Sequence, residues 1–395
     1  MGDGTEQNPL TRDDVLRLIK ENGGKTEGLD LSQKVFEISI NLSYLDLRGI
    51  ILDGADLAGE YSWPELGSPS ASLSDSQELK GAHFEGAILI DASFKNAMLA
   101  DVHFERADLS HAHLENACLW DAHLENAKLI TSHLEETDLS NAKLEGSQFI
   151  GAHLEKATLS EALIKEAILI EAHLEEANLY SADLEGADLA RSNLEGASLN
   201  NTNLKGADLT ASNLIGAHLE DTKFNNDTKL EGVNWGNYIL PEESDRWFYG
   251  AQEIYRKLKI LNTNAGMYDI AGKFFFREMT VRRKAMEWWP NPFNKAFSKL
   301  ITILCGYGEK PERVVVSALV IIFGLAIAYH LFGSFNTFSF WDKLYYSAIS
   351  FTAVGYGNWA PQPTGWAKGM GAIEAFIGVF MMALFLVTFT RKMTR

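Results

Sequence analysis

The sequence predicts a multidomain chain in which a β-solenoid is followed by an α-helical connector and a two-helix membrane domain. Three observations predict it: an unbroken five-residue period through the middle, apolar residues at helical spacing over 242–289, and two long, almost uncharged runs near the C-terminus. The 395 residues are 46% hydrophobic and 22% charged, which excludes a disordered chain. The net charge of -18 is unevenly spread. Residues 1–80 carry 7 basic and 15 acidic side chains, residues 81–230 carry 10 and 26, and residues 231–395 carry 18 and 12. Such partition is expected of separate modules. Two cysteines, Cys118 and Cys305, exclude a disulfide framework and a four-cysteine zinc site, and fit a reducing compartment. Residues 1–40 contain no apolar run, so no secretory signal is expected. Position 6 is Glu, where N-myristoylation requires Ser or Thr.

The first element, within residues 1–40, is a short capped helix over the end of the solenoid. Thr11-Arg12-Asp13-Asp14 supplies the start, Val15, Leu16, Leu18 and Ile19 the apolar stripe, and Gly23-Gly24 the stop. The solenoid is expected over 41–235. From Phe84 to Phe224 every fifth residue is Leu, Phe or Ile, which makes 29 positions, and two residues before each stands a small one such as Ala82, Ala87 or Val102. A helix turns five residues through about 140° and cannot keep them on one face. A coil of square cross-section can, each pentad forming one side with its Leu inward and the small residue filling the corner beside it. Leu42, Leu47, Leu52 and Leu57 keep the spacing two residues out of phase, and 60–78, with Trp63, Pro64 and Pro69, is predicted as a loop insertion. After Phe224 one extra residue shifts the phase, and Leu230 and Trp235 end the series.

These pentads resemble the pentapeptide-repeat family, as in Ala182-Asp183-Leu184-Glu185-Gly186 and Ala207-Asp208-Leu209. The resemblance implies a right-handed quadrilateral β-solenoid with four pentads per coil. Coils stacked at roughly 4.8 Å then give about seven turns and a length on the order of 35 Å. With 20 residues per coil, His113, His133, His153 and His173 form one column beside glutamates. His83, His103 and His123 form a second on the opposite face. Two readings stand: a pH-sensing or metal-binding ladder, and a solvated polar face copied by repeat duplication.

The connector is expected over 236–292 as a helical hairpin. Trp247, Ala251, Ile254, Tyr255 and Leu258 lie on one helix, Asn264-Ala265-Gly266 breaks it, and Ile270, Phe274 and Phe275 resume the pattern. It resembles a hairpin of the tetratricopeptide kind. Trp288-Trp289-Pro290-Asn291-Pro292 ends it with residues suited to a membrane interface. Residues 293–310 follow as an interfacial amphipathic helix, with Phe293, Phe297, Leu300, Ile301 and Leu304 opposite Lys295 and Lys299.

The last domain is expected over 311–395. Residues 314–332 lack a formal charge and residues 371–390 contain only Glu374, each run long enough to cross a hydrocarbon layer of roughly 30 Å. Lys310 and Arg313 precede the first, and Arg391, Lys392 and Arg395 follow the second, which places both termini in the cytoplasm of a multi-pass cell-membrane protein. Between the runs, residues 341–351 are too short to cross, and Thr352-Ala353-Val354-Gly355-Tyr356-Gly357-Asn358 follows. This arrangement resembles the pore loop of potassium channels, whose common form is T-T-V-G-Y-G-D. The resemblance implies a homotetrameric pore in the lipid bilayer, where backbone carbonyls of Thr352, Ala353, Val354, Gly355, Tyr356 and Gly357 replace the hydration shell of permeant K+. No other cofactor is implied. Ala353 and Asn358 depart from the family form, the first removing a hydroxyl from the innermost ion site and the second a charge from the outer mouth. Gly378 matches the inner-helix glycine around which such channels bend, close packing being the other reading. Met382, Leu386 and Thr390 share a face below it and are expected to line the lower pore. Glu374 is a functional candidate as an intramembrane acid or a hydrogen-bonded residue packed behind the short helix.

The function expected is therefore a tetrameric potassium-selective channel whose cytoplasmic solenoids regulate or assemble it, through an unknown ligand or protein partner. A second hypothesis is an acidic interaction module of the DNA-mimic type, tethered to the membrane, and a third is a non-selective cation channel, kept open by Ala353. The chain is not expected to be an enzyme, since it shows no Ser/His/Asp arrangement and no phosphate-cradling Gly loop, nor is it expected to bind nucleic acid.

Overall fold

The computed structural model describes residues 2–37, 40, 42, 45–57, 79–286, 292–332, 334–335, 339–354 and 363–393. They form two compact units, Met1–Lys257 and Leu258–Arg395.

The first unit opens with α1 (Arg12–Glu21). Thr11 caps it reciprocally: its hydroxyl accepts the Asp14 N–H, and the Asp14 carboxylate accepts the Thr11 N–H. Asp14 also accepts the Gly2 N–H at 2.9 Å, which ties the chain start to the helix. Beyond α1 the pentads build no long strand among the described residues. Each contributes one bridging residue, just before its inward Leu, Phe or Ile, and from His83 to Asn203 that residue pairs in parallel with the one 20 positions on. Four columns of bridges result, one for each pentad of a coil. Leu114 N–H donates to the His133 carbonyl at 2.7 Å and His133 N–H to the Ala112 carbonyl at 2.9 Å, so the buried backbone is satisfied between coils. Each pentad ends in a tight turn. Ala117 N–H donates to the Leu114 carbonyl at 3.0 Å, while Asn116 takes a left-handed φ of 58°. Asn and Asp, which recur at this corner, adopt that conformation at modest cost. Inward residues and the small residues beside them are fully buried, as at Leu144 and Ala142. Where Ser or Thr replaces Ala, its hydroxyl donates to a buried carbonyl: Ser147 to Leu144, and Thr137 to Leu114.

The solenoid begins earlier than the sequence pattern indicates. Asp30 pairs with Ile51 and Val35 with Asp56, and Leu31 and Phe36 are buried, so a coil already runs through the stretch expected to be cap. Leu29 and Lys34 stand where the small residue belongs, which hides these pentads from the pattern. Asp46 pairs with His83, 37 residues on, so the out-of-phase leucines stack on the main series across an insertion. The expected loop at 60–78 itself lies outside the described residues. At the other end Asp208 pairs with Lys229 and Asn213 with Asn234, a step of 21 that absorbs the extra residue, and Leu230 and Trp235 are buried.

The last coil has no successor to take its N–H groups. Short α2 (Pro241–Ser244) supplies a substitute: the Glu242 carboxylate accepts the Leu219 N–H at 3.0 Å. Beside it, buried Tyr255 on α3 (Phe248–Asn264) donates to Glu243 Oε2 at 2.7 Å and accepts the Leu240 N–H at 3.0 Å.

The second unit takes up the end of α3. Gly266, at φ 76°, turns the chain into α4 (Tyr268–Ala285), and Lys259 and Glu278 bridge the two helices at 2.7 Å. Trp288, Trp289, Pro290 and Asn291 lie outside the described residues. Helix α5 (Pro292–Cys305) divides its apolar side: Ile301 and Leu304 pack near Val314, Phe351 and Met381, while Phe293, Phe297 and Leu300 are exposed. Arg283 of α4 donates to the Thr302 hydroxyl at 2.9 Å, and Arg313 donates to the Thr302 carbonyl at 3.0 Å, so α4, α5 and the next helix meet at one residue. That helix is α6 (Pro311–Phe332). Then come β1 (Ser334–Phe335), α7 (Phe340–Thr352), β2 (Pro363–Thr364) and α8 (Trp366–Met393). β1 and β2 pair antiparallel. α6 and α8 are long and apolar enough to cross a membrane.

Candidate functional site

The short helix α7 packs against both long ones. Its 13 residues span about 20 Å, too little to cross a bilayer. On one side Tyr346 lies edge-on to Tyr329 and Phe335, with ring centroids 5.4 and 5.2 Å away, and Trp366 donates to the Phe332 carbonyl at 2.8 Å. These contacts, with the β1–β2 pair, close one end of the helical unit. Towards the other, Phe351 packs with Val314 and Met381.

Between the two clusters lies a fully buried carboxylate. Glu374 of α8 accepts a hydrogen bond from the Tyr329 hydroxyl of α6 at 2.9 Å and one from the Ser347 hydroxyl of α7. Ser347 Oγ also lies 2.9 Å from the Ile322 carbonyl. One side chain thus fastens three helices, each partner satisfying a polar group that would be costly alone in an apolar setting. This is the packed, hydrogen-bonded alternative for Glu374. Tyr329 and Ser347 were not singled out from the sequence, since partners 45 and 27 residues from Glu374 obey no local spacing.

One turn further along α8, Gly378 is buried against the last turn of α7. A Cβ at this position would fall on the Phe351 carbonyl. The glycine therefore permits a backbone-to-backbone approach between the two helices, and close packing is the role visible here.

Helix α7 ends at Thr352, whose hydroxyl turns back to the Ala348 carbonyl at 2.9 Å. Ala353 follows at φ 53°, its N–H donating to the Ser350 carbonyl, and Val354 is 80% exposed. All three expected ion-site residues with a description stand uncovered at the C-terminal end of α7, where aligned peptide dipoles leave partial negative charge. Gly355, Tyr356, Gly357 and Asn358 lie outside the described residues. Of the expected pore-lining residues on α8, Met382, Leu386 and Thr390 are all exposed. Met382 and Leu386 also border an apolar cavity of about 340 Å³, with Val314, Val315, Ala318 and Phe351.

Comparison with known proteins adds the following. Residues 315–395 match the ion channel family. Residues 77–154 match the pentapeptide repeat region family, and residues 157–196 and 187–226 match pentapeptide repeats. No curated protein matches the chain in sequence. Among solved structures, HetL, a pentapeptide repeat protein involved in heterocyst differentiation regulation from the cyanobacterium Nostoc sp. strain PCC 7120, is 24% identical at a TM-score of 0.25, over 58% of this chain and 96% of its own. QnrB1, a plasmid-mediated fluoroquinolone resistance protein, is 23% identical at a TM-score of 0.26, over 54% of this chain and 86% of its own. A pentapeptide repeat protein from the Arabidopsis thaliana thylakoid lumen is 24% identical at a TM-score of 0.16, over 35% of this chain and 70% of its own. A pentapeptide-repeat solenoid at 77–226 and an ion channel domain at 315–395 are therefore joined in this one chain, which makes it a membrane channel protein carrying an accessory repeat domain.

Proposed function

We propose that four copies of this chain form a potassium-selective channel. The observation that carries the reading is the chain order: Thr352-Ala353-Val354-Gly355-Tyr356-Gly357 begins at the last residue of a helix too short to span and falls between two helices that are long enough. Thr352, Ala353 and Val354 are left uncovered by their own chain, as residues completed around a shared axis would be. Carbonyls from four such loops, at the negative ends of four α7 helices, supply the field that a dehydrated cation needs. Met382, Leu386 and Thr390 line the passage below, and the exposed Phe293, Phe297 and Leu300 of α5 rest on the cytoplasmic leaflet. Both termini lie in the cytoplasm, where the solenoids, right-handed and quadrilateral, serve assembly or regulation. The domain division is 1–40, 41–235, 236–292, 293–310 and 311–395, with the solenoid ladder reaching back to Asp30.

The test is ion flux into liposomes holding the purified protein. Potassium flux well above sodium flux, blocked by barium, is expected; equal fluxes refute selectivity and favour the non-selective pore. Ala353 lacks the hydroxyl of the common form, so the innermost ion site is weak and conductance low. Ala353→Thr should enlarge the single-channel current, and an unchanged or smaller current counts against that account.

A further inference from the structure

The 20-residue step stacks the histidines of the solenoid ring on ring. Centroids of His83, His103 and His123 follow each other at 4.4 Å, and those of His113, His133, His153 and His173 at 4.6 to 5.0 Å. Each column carries its own carboxylates. His103 Nδ1 lies 3.0 Å from Glu105 Oε1, His133 Nδ1 3.2 Å from Glu135 Oε1, and His153 Nδ1 3.2 Å from Glu155 Oε1. The ring one coil on approaches the same oxygen: His123 Nδ1 is 3.7 Å from Glu105 Oε1, and His173 Nδ1 is 4.0 Å from Glu155 Oε1.

The second oxygens are the anomaly. Oε2 of Glu85, Glu105, Glu125 and Glu145 in one column, and of Glu115, Glu135, Glu155 and Glu175 in the other, are shielded from solvent and have no hydrogen-bond partner; the histidine coils share this with the neighbouring coils at Lys143 and Asn193. A dry carboxylate oxygen without a donor is costly, and here it recurs coil after coil. Where the histidines give way to asparagine, the repeat supplies amide donors instead: Asn203 donates to Glu185 at 3.2 Å and Asn213 to Glu195 at 3.1 Å. The histidine coils set acceptor oxygens beside imidazole Nδ1 atoms, which donate an N–H in one neutral tautomer and offer a lone pair in the other. In the lone-pair tautomer that is a ligand set, and its spacing suits a metal as well as a hydrogen bond. Nitrogen and oxygen ligands held at about 2.0–2.2 Å around a tetrahedral ion lie roughly 3.3–3.6 Å from one another, inside the 3.0 to 4.0 Å found between these atoms.

We propose that the two histidine–glutamate columns bind divalent transition-metal ions of the zinc class. Three groups offer two imidazoles and a carboxylate: His83–Glu85–His103, Asp101–His103–His123 and His153–Glu155–His173, of which the first two share His103 and cannot both fill. Two more offer one imidazole and two carboxylates, Glu105–His123–Glu125 and Glu115–His133–Glu135. Leaving Asp101–His103–His123 aside, the other four share no residue, so each column holds two ions at saturation. The two-histidine groups fill first, because imidazole suits zinc, copper and nickel better than a second carboxylate does. Lys95, 3.0 Å from Glu115 Oε1, competes with a cation there and weakens that group further. The sites belong to the repeat domain alone and stand whether or not the membrane domain selects potassium.

The test uses the tag-free full-length protein in detergent, dialysed against Zn2+ and assayed for bound metal, with Co2+ as an optical reporter. About two tightly held ions per chain and intense visible Co2+ bands, unmoved by excess Ca2+, are expected. His103→Asn and His153→Asn should each remove one tight ion and about half the band, and the double variant both. Asparagine is what the solenoid itself uses in these columns at Asn193 and Asn203, so the coils are retained, which circular dichroism checks. Wild-type protein binding no more Zn2+ than the double variant, or losing it to an equal concentration of Ca2+, would overturn the proposal.

Discussion

Replacing Gly378 by Ala tests the packing of α7 on α8 with a single methyl group. The added Cβ meets backbone, the Phe351 carbonyl, and backbone cannot swing aside as a side chain does. Restoring ordinary contact distances requires the helices to part by on the order of 1–2 Å. Overpacking of this kind costs about 1–3 kcal/mol, and contact with main chain belongs at the upper end. Against it stands the helix preference of Ala over Gly, about 1 kcal/mol. The net expectation is a loss of about 2 kcal/mol, roughly a thirtyfold change in the folding equilibrium. Gly324 on α6 provides the control, because a Cβ there meets nothing within 4 Å. Gly324→Ala should be neutral or stabilising, leaving the two variants about 2–3 kcal/mol apart. The assay is thermal unfolding of the detergent-solubilised protein, with ion flux measured in parallel. Since the displaced turn carries Thr352, flux should fall with stability in Gly378→Ala and persist in Gly324→Ala. Equal melting of the two variants would refute the reasoning.

Three further outcomes are expected. Glu242→Ala leaves the Leu219 N–H of the last coil without its acceptor, at a cost of about 1–3 kcal/mol, and hydrogen exchange at Leu219 should quicken by about tenfold or more. Glu374→Ala removes the acceptor of the Tyr329 hydroxyl and of the Ser347 hydroxyl and should destabilise by about 1–3 kcal/mol; a double-mutant cycle with Tyr329→Phe on melting curves measures the coupling. Asp14 has its carboxyl held down to about 2, first by the Gly2 N–H and then by the Thr11 hydroxyl. A group depressed below its ordinary 3.8 stabilises fully above that value and loses its contribution as pH falls towards 2. Proteolysis of the N-terminal segment should therefore speed up across that window, and Asp14→Asn should abolish the dependence.

The strict pentad was legible because every coil repeats one local rule, inward residue, small neighbour and tight corner, while the 20-residue step rested on the family resemblance. What escaped were places where tertiary position overrides it. Leu31 and Phe36 make a coil without the small neighbours that advertise one. Glu242 acts as a cap only because the ladder stops at Leu219, and nothing in its own neighbourhood signals that. In the membrane domain, length and charge disclosed the three helices and their order. The partners of Glu374 and the contact behind Gly378 arise from helices that meet far apart in the chain, so residue spacing carries no record of them.

The uniform ladder between His83 and Lys223 gives this part of the molecule a kind of translational freedom. Excising twenty consecutive residues there, such as 124–143, would bring equivalent positions into register, and every surviving bridge would have a partner of the same kind. Both termini of the ladder would keep their own lids. Length is then a heritable variable that can change in whole steps without redesign of either end.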